Sequence, residues 1–247
     1  MKIELLDGTE IDIAEYSLGV EDYNIPSVEI EHQTALVDGL DNHIVTQTKF
    51  TGRTISVVFC YVADDYADYV LLRRRLNGLF ARKEPFYIKF KDDSSIRWKV
   101  RLATQFVTEK ELENIGSMSV DFRCEKLYAE SIDVNEYTFN TANFIVKNTG
   151  TETVDPRESQ LDITLKGVFA KQVKMTNKTT GDVFIYNGAL TATDTLKLTG
   201  IRTLKNDVSV LKNTNKKLIT LNPGDNNFTI EGGTVTSIVF DFKYLYM

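Results

Sequence analysis

The chain has 247 residues, more than one compact domain usually holds, so two domains are expected. Apolar residues make up 42 %, enough to bury a core, and 29 basic against 35 acidic residues leave a net charge of −6. That mild acidity excludes broad binding to nucleic-acid phosphate, which needs a basic face.

The segment Met1 to Asp7 is broken by charges before an apolar run of signal length develops, so no signal peptide is expected. No stretch approaches the roughly 18 apolar residues of a membrane span, and no membrane insertion is expected. Cys60 and Cys124 sit in apolar, strand-like sequence and read as buried, reduced thiols. The protein is therefore expected to fold in a reducing cytosol, or at least without depending on oxidation.

Lys2 to Leu6 and Thr9 to Ile13 flank Asp7-Gly8 and predict a tight hairpin. Ser27 to Glu31 and Gln33 to Val37 read as strands. The sequence then becomes turn-prone around Asp38-Gly39 and Asp41-Asn42. Strand-like sequence resumes at His43 to Phe50 and at Arg53 to Tyr61. The block Thr54 to Phe59, rich in β-branched and aromatic residues, reads as a buried strand. Gln33 to Phe50 is less regular and suits a long hairpin arm that projects from its domain.

A helix is predicted over about 64–80. Asp64, Asp65 and Asp68 lie in its first turns and Arg73, Arg74 and Arg75 toward its end, the polarity a helix dipole favours. Tyr69, Leu72, Leu76, Leu79 and Phe80 recur at steps of three and four and share one face, suited to covering a sheet. Pro85 ends the element. Phe86 to Phe90 and Ile96 to Val100 form a hairpin around Asp92-Asp93-Ser94, with Ile96, Trp98 and Val100 on one face. Met118 to Cys124 alternates in the same way.

Patterning fades over 128–140, and the domain boundary is placed there, giving domains 1–135 and 136–247. Beyond it Thr and Asn become common and no amphipathic helix appears. Roughly nine short strands at 8–12-residue spacing, separated by Gly and Asn turns, are the signature of an antiparallel sandwich. The fold class is therefore mainly β: an N-terminal β-fold with one α-helix and an extended hairpin, then an antiparallel β-sandwich.

Sites for chemistry are sparse. The two histidines, His32 and His43, both fall in the proposed arm region, without a Cys, Asp or Glu partner at ligand spacing. On a strand, Glu29 and Glu31 share a face while His32 points away, so a solvated strand is favoured over a metal site. There is no nucleophile elbow, phosphate-binding loop or dinucleotide fingerprint, and no catalytic residue, metal or cofactor is assigned. Carboxylates that meet in space to cleave a glycoside are left open. The run Arg73 to Arg75 reads as a solvated helix face, with an anion patch or a subunit contact as alternatives. Gly232-Gly233 reads as a turn. The lone tryptophan, Trp98, lies in the first domain and the second has no histidine, whereas a galectin-type site stacks its sugar on Trp and bonds it with His.

The order of elements resembles a known family. A hairpin with a polar extension leads into Phe50-Thr51-Gly52-Arg53-Thr54-Ile55-Ser56-Val57-Val58-Phe59. The helix ends in Leu76-Asn77-Gly78-Leu79-Phe80, and Pro85-Phe86-Tyr87-Ile88 follows. After Gly116 to Phe122 come Thr-rich strands, then Leu221-Asn222-Pro223-Gly224-Asp225-Asn226-Asn227-Phe228 and the terminal Phe240-Asp241-Phe242-Lys243-Tyr244. Over essentially the whole chain this resembles the distal tail proteins of long, non-contractile-tailed (siphovirus-type) phages of Gram-positive bacteria, a phage tail component family.

The resemblance implies a virion structural protein at the distal tail tip, assembled in the host cytoplasm and not an enzyme. The first domain would form a homo-hexameric ring and the second would be a galectin-like sandwich at its periphery. The ring would join the tail tube protein to the tail-associated tip protein, with the tape-measure C-terminus and a receptor-binding protein as further partners. The arm, from Asp38 to Phe50, would carry the ring contact, with Leu40, His43, Ile44, Val45 and Phe50 as its interface residues. A carbohydrate-binding adhesion module for the host cell wall is the alternative, and a wall-degrading enzyme the third reading.

Overall fold

The computed structural model describes residues 1–36, 39, 43–110 and 115–247. Packing divides the chain into Met1–Ala129 and Glu130–Met247.

The first unit opens with the predicted hairpin, β1 (Lys2–Glu4) and β2 (Glu10–Asp12), turning at Gly8 with φ 87°. A 3-10 turn, Ile13–Tyr16, leads into β3 (Leu18–Asn24), a strand that the sequence did not announce. Strands β4 (Glu29–Ala35) and β5 (Ile44–Gly52) pair with each other as a separate two-stranded sheet. The stretch read as two strands on either side of His32 is thus one strand, β4. Next come β6 (Thr54–Val62), the helix α1 (Tyr66–Phe80), β7 (Phe86–Lys89), β8 (Ile96–Leu102), β9 (Glu109–Lys110) and β10 (Ile115–Cys124). The main sheet runs β2-β1-β7-β8-β10-β6-β3, and its pairs are antiparallel.

Period-two alternation places the core. On β6, Ile55, Val57, Phe59 and Tyr61 face inward and meet Val120, Phe122 and Met118 of β10. The helix lays its predicted face, Tyr69, Leu72, Leu76, Leu79 and Phe80, on this layer. Phe80 sits 5.5 Å from both Phe59 and Phe122, centroid to centroid. Burying five such side chains contributes about 10 kcal/mol before entropy is counted.

Three expectations for this unit change. The helix begins at Tyr66, because Asp65 is its N-cap and accepts a hydrogen bond from the Asp68 amide at 2.8 Å. No basic residue lies in the last turn, so Arg73 to Arg75 are an exposed mid-helix face and not a dipole partner. Cys124 is buried, but Cys60 is exposed, since it falls on the outward parity of β6.

The second unit contains β12 (Asn135–Phe139), β13 (Asn143–Asn148), β14 (Leu161–Asn177), β15 (Asp182–Tyr186), β16 (Thr195–Thr199), β17 (Arg202–Lys205), β18 (Val208–Ser209) and β19 (Gly224–Phe242). Short strands β11 (Ala129–Ser131) and β20 (Leu245–Tyr246) complete the chain. The series of short strands is corrected here: β14 and β19 are 17 and 19 residues long and pair with each other along most of their length.

Each long strand serves two layers. The first part of β14 and the last part of β19 pair with β16 and β12. Their other halves pair with β15 and β13. The register shifts after Lys166 and between Phe169 and Lys174, where the strands bend from one layer into the other. Gly167, Gly232 and Gly233 lie at these bends. A side chain on any of them would overlap a backbone carbonyl across the pair, of Thr234, Gln172 and Val168 respectively. Gly232-Gly233 therefore marks a bulge inside a strand and not a turn. Between the layers, Phe228 and Phe240 of β19 stand 5.0 Å apart, and Phe144 of β13 contacts both.

Candidate assembly surface

Strands β4 and β5 are exposed at every residue except Gly52. Its register sorts the side chains. Ile30 lies opposite Phe50, His32 opposite Thr48 and Thr34 opposite Val45. These pairs share one face, with Ile30, Val45 and Phe50 each more than half exposed. The other face carries Glu31 opposite Lys49, Gln33 opposite Gln47 and Ala35 opposite Ile44. The arm is thus amphipathic, with an apolar side that no described residue covers.

Two bulges make this possible. Thr46 and Thr51 are the extra residues on β5, and their hydroxyls donate to the Gln33 and Glu29 carbonyls at 3.1 and 3.4 Å. Without the bulge at Thr46, strict alternation would turn Val45 to the charged side.

Of the residues expected to form the arm contact, Val45 and Phe50 fall on the apolar face and Ile44 on the polar one. His43 is exposed just before β5. Leu40 lies outside the described residues. Ile30 and Leu36, 55 % and 72 % exposed, were missed. The alternation Ile30-x-His32-x-Thr34 was the available signal, hidden because the stretch was divided at His32. His32 bonds Thr48 Oγ1 through Nδ1 at 2.9 Å, which ties it to the arm itself.

Arg123 of β10 fixes the root of the arm. Its guanidinium donates to Glu29 Oε1 at 2.8 Å, to the Thr51 carbonyl at 3.0 Å and to Thr54 Oγ1 at 3.3 Å. The hydrogen bond to Arg123, its charge adding to it, holds the Glu29 carboxyl below the usual carboxylate range against desolvation. Gly52 lies beneath that guanidinium, and any side chain there would displace it. The arm is therefore aimed by one arginine and one glycine.

Elsewhere the surface offers less. A shallow hollow on the outer face of the sandwich is lined by Thr164, Lys166, Thr195, Lys197, Asn206 and Asp207, none of them aromatic. Among the described residues no group of three His, Cys, Asp or Glu side chains gathers to hold a metal. No described helix is long and apolar enough to cross a membrane.

Residues 6–124 match the family model for the phage tail protein RIFT-related domain. The crystal structure of the Dit protein of phage SPP1 aligns over 98 % of this chain and 98 % of its own, with 18 % identity and a TM-score of 0.77. Two structures of the phage P2 baseplate in its activated conformation, with calcium and with strontium, align at 8 % identity over 98 % of this chain and 97 % and 96 % of theirs, with TM-scores of 0.48 and 0.47. No curated protein matches the chain. The resemblance drawn from the order of elements is borne out: residues 6–124 match a phage tail domain, and the chain as a whole takes the fold of SPP1 Dit.

Proposed function

We propose that the chain is a structural hub of a phage tail, set at the distal tip between the tail tube and the host-adsorption apparatus. The observation that carries this is the end-to-end likeness to a protein described as a paradigm of the hub adsorption apparatus in phages that infect Gram-positive bacteria. The match of residues 6–124 to a phage tail domain supports it independently. The role is that of a virion scaffold and not of a catalyst.

In this reading residues 1–135 build a homo-hexameric ring and residues 136–247 are a peripheral docking sandwich. A ring repeats one heterologous contact around an axis. The β4–β5 arm suits such a contact, because it offers an apolar face and unpaired strand edges to a neighbour. The interface then includes Ile30, Val45 and Phe50, with Leu40, His43 and Ile44 alongside. The ring's partners are the tail tube protein and the tail-associated tip protein, with the tape-measure C-terminus and a receptor-binding protein further out.

The test replaces residues 30–50 with a tight turn and compares oligomer mass by light scattering. The full chain is expected to give six-fold rings in negative-stain micrographs, and the shortened chain monomers. The same oligomer from both would remove the arm from the interface, and a full chain that stays monomeric at high concentration would sink the ring itself.

A further inference from the structure

The chain carries two Asn-Gly pairs, Asn77-Gly78 and Asn187-Gly188. An asparagine before a glycine is open to ring closure, because no Cβ shields the following backbone nitrogen from the side-chain carbonyl carbon. The fold treats the two pairs differently. Asn77 lies inside α1, where its Nδ2 donates to the Arg73 carbonyl at 2.8 Å and its own carbonyl accepts from the Ala81 amide at 2.9 Å. The Gly78 amide sits within the same helix, where each N–H bonds the carbonyl four residues back. Both the leaving group and the attacking nitrogen of this pair are thus held.

Asn187 follows β15 and is exposed, and Gly188 lies in the bend after it. Gln172, at the bend of β14, donates from Nε2 to Asn187 Oδ1 at 2.8 Å. The Asn187 backbone N–H donates to the Asn213 carbonyl at 2.7 Å, which fixes the chain just ahead of the pair. Among the described residues nothing accepts from Asn187 Nδ2 or from the Gly188 N–H. The glycine is itself required here, since a side chain at 188 would overlap the buried Tyr186 phenol.

We propose that Asn187-Gly188 is a self-modifying site, at which the asparagine of the folded chain closes to a succinimide and opens to aspartate and isoaspartate. Hydroxide takes the Gly188 N–H proton, and the nitrogen attacks Asn187 Cγ. The new N–Cγ bond forms, the Cγ–Nδ2 bond breaks, and Nδ2 leaves as ammonia with a proton from water. A further water then opens the ring at either carbonyl. During the attack negative charge gathers on Oδ1, where the Gln172 amide already donates, so Gln172 stabilises the charge as it develops. Each conversion adds one negative charge to this turn of the second unit, and isoaspartate also lengthens its backbone by one methylene. The inference stands apart from the hub reading.

The test incubates the full chain in mildly alkaline heavy-oxygen water, folded and in urea, and follows the peptides that hold residues 77 and 187 by mass spectrometry. Labelled aspartate and isoaspartate are expected at 187 in the folded chain, at least about tenfold faster than at 77, where two hydrogen bonds must open first. In urea the two pairs are expected to convert at similar rates. Gln172→Met is expected to slow conversion at 187 severalfold in the folded chain and not in urea. Asn187→Gln is expected to stop it, because the longer side chain must close a larger ring. Conversion at 187 that appears only in urea overturns the inference, since the fold then protects the pair. Equal rates at 77 and 187 in the folded chain also overturn it, since the dipeptide alone then sets the chemistry. Aspartate without isoaspartate means direct hydrolysis and rules out the ring. A folded Gln172→Met chain that converts as fast as the parent removes Gln172 from the step.

Discussion

Glu4 sits where charges from four strands converge. Lys89 Nζ lies 2.6 Å from its Oε2 and 2.5 Å from Glu10, while Arg97 donates to its Oε1 and stacks over Tyr87. Burial pushes the Glu4 carboxyl up, but the hydrogen bonds and charges of Lys89 and Arg97 together outweigh it and hold the group below its usual range. A carboxyl depressed by folding contributes stability above its unfolded value and loses it as pH falls through the folded one. Asp241 behaves in the opposite sense. Burial first, then Glu136 and Asp162 directly opposite it on β12 and β14, push its carboxyl up. Its charge therefore costs the fold at neutral pH, and that cost disappears as pH falls through its raised value. Glu4→Gln is expected to destabilise by about 1–3 kcal/mol at pH 7 and Asp241→Asn to stabilise by up to about 1 kcal/mol. Urea melts at pH 7 and pH 3 check both, since each difference should shrink in acid. A Glu4→Gln difference that persists undiminished at pH 3 would rule out the ionic origin.

At the scale of elements, what could be read in the sequence depended on whether one residue type had one meaning. The helix was legible because Tyr69, Leu72, Leu76, Leu79 and Phe80 repeat at its period, and Ile96-x-Trp98-x-Val100 was legible for the same reason. The long strands were not, because Gly167 and Gly232-Gly233 look like turn residues whether they end a strand or let two backbones approach at a bend. The amphipathic arm was hidden for a related reason: the bulge at Thr46 moves Val45 to the face of Phe50, and strict alternation cannot show that. The arm was placed by sequence, but its apolar side was not, and neither was Arg123 as the group that aims it. The glycines permit a direct check. Gly78 is exposed in α1 with open space around its Cα, so Gly78→Ala is expected to stabilise by about 0.5–1 kcal/mol. Gly233→Ala pushes a methyl against the Val168 carbonyl and the Phe169 ring and is expected to cost about 1–3 kcal/mol. Thermal melts that shift the same way for both would remove the distinction between a propensity cost and a close approach.

At the scale of the molecule, the division into Met1–Ala129 and Glu130–Met247 has consequences for unfolding. Each unit buries its own aromatic and aliphatic side chains, from Phe59, Phe80 and Phe122 in the first to Phe144, Phe228 and Phe240 in the second. Chains of two domains commonly depart from a single all-or-none transition. The lone tryptophan supplies a probe for one unit alone, since Trp98 is buried in β8 and no tryptophan occurs after residue 129. Tryptophan fluorescence therefore follows the helix-bearing unit, while far-ultraviolet circular dichroism follows both. In urea the two signals are expected to give different midpoints. Glu4→Gln should move the fluorescence midpoint, whereas Gly233→Ala should leave it in place and shift only the part of the dichroism that fluorescence does not see. Coincident midpoints that both substitutions move equally would mean that the chain unfolds as one cooperative body, and the assignment of ring-building to one unit and docking to the other would lose its physical basis.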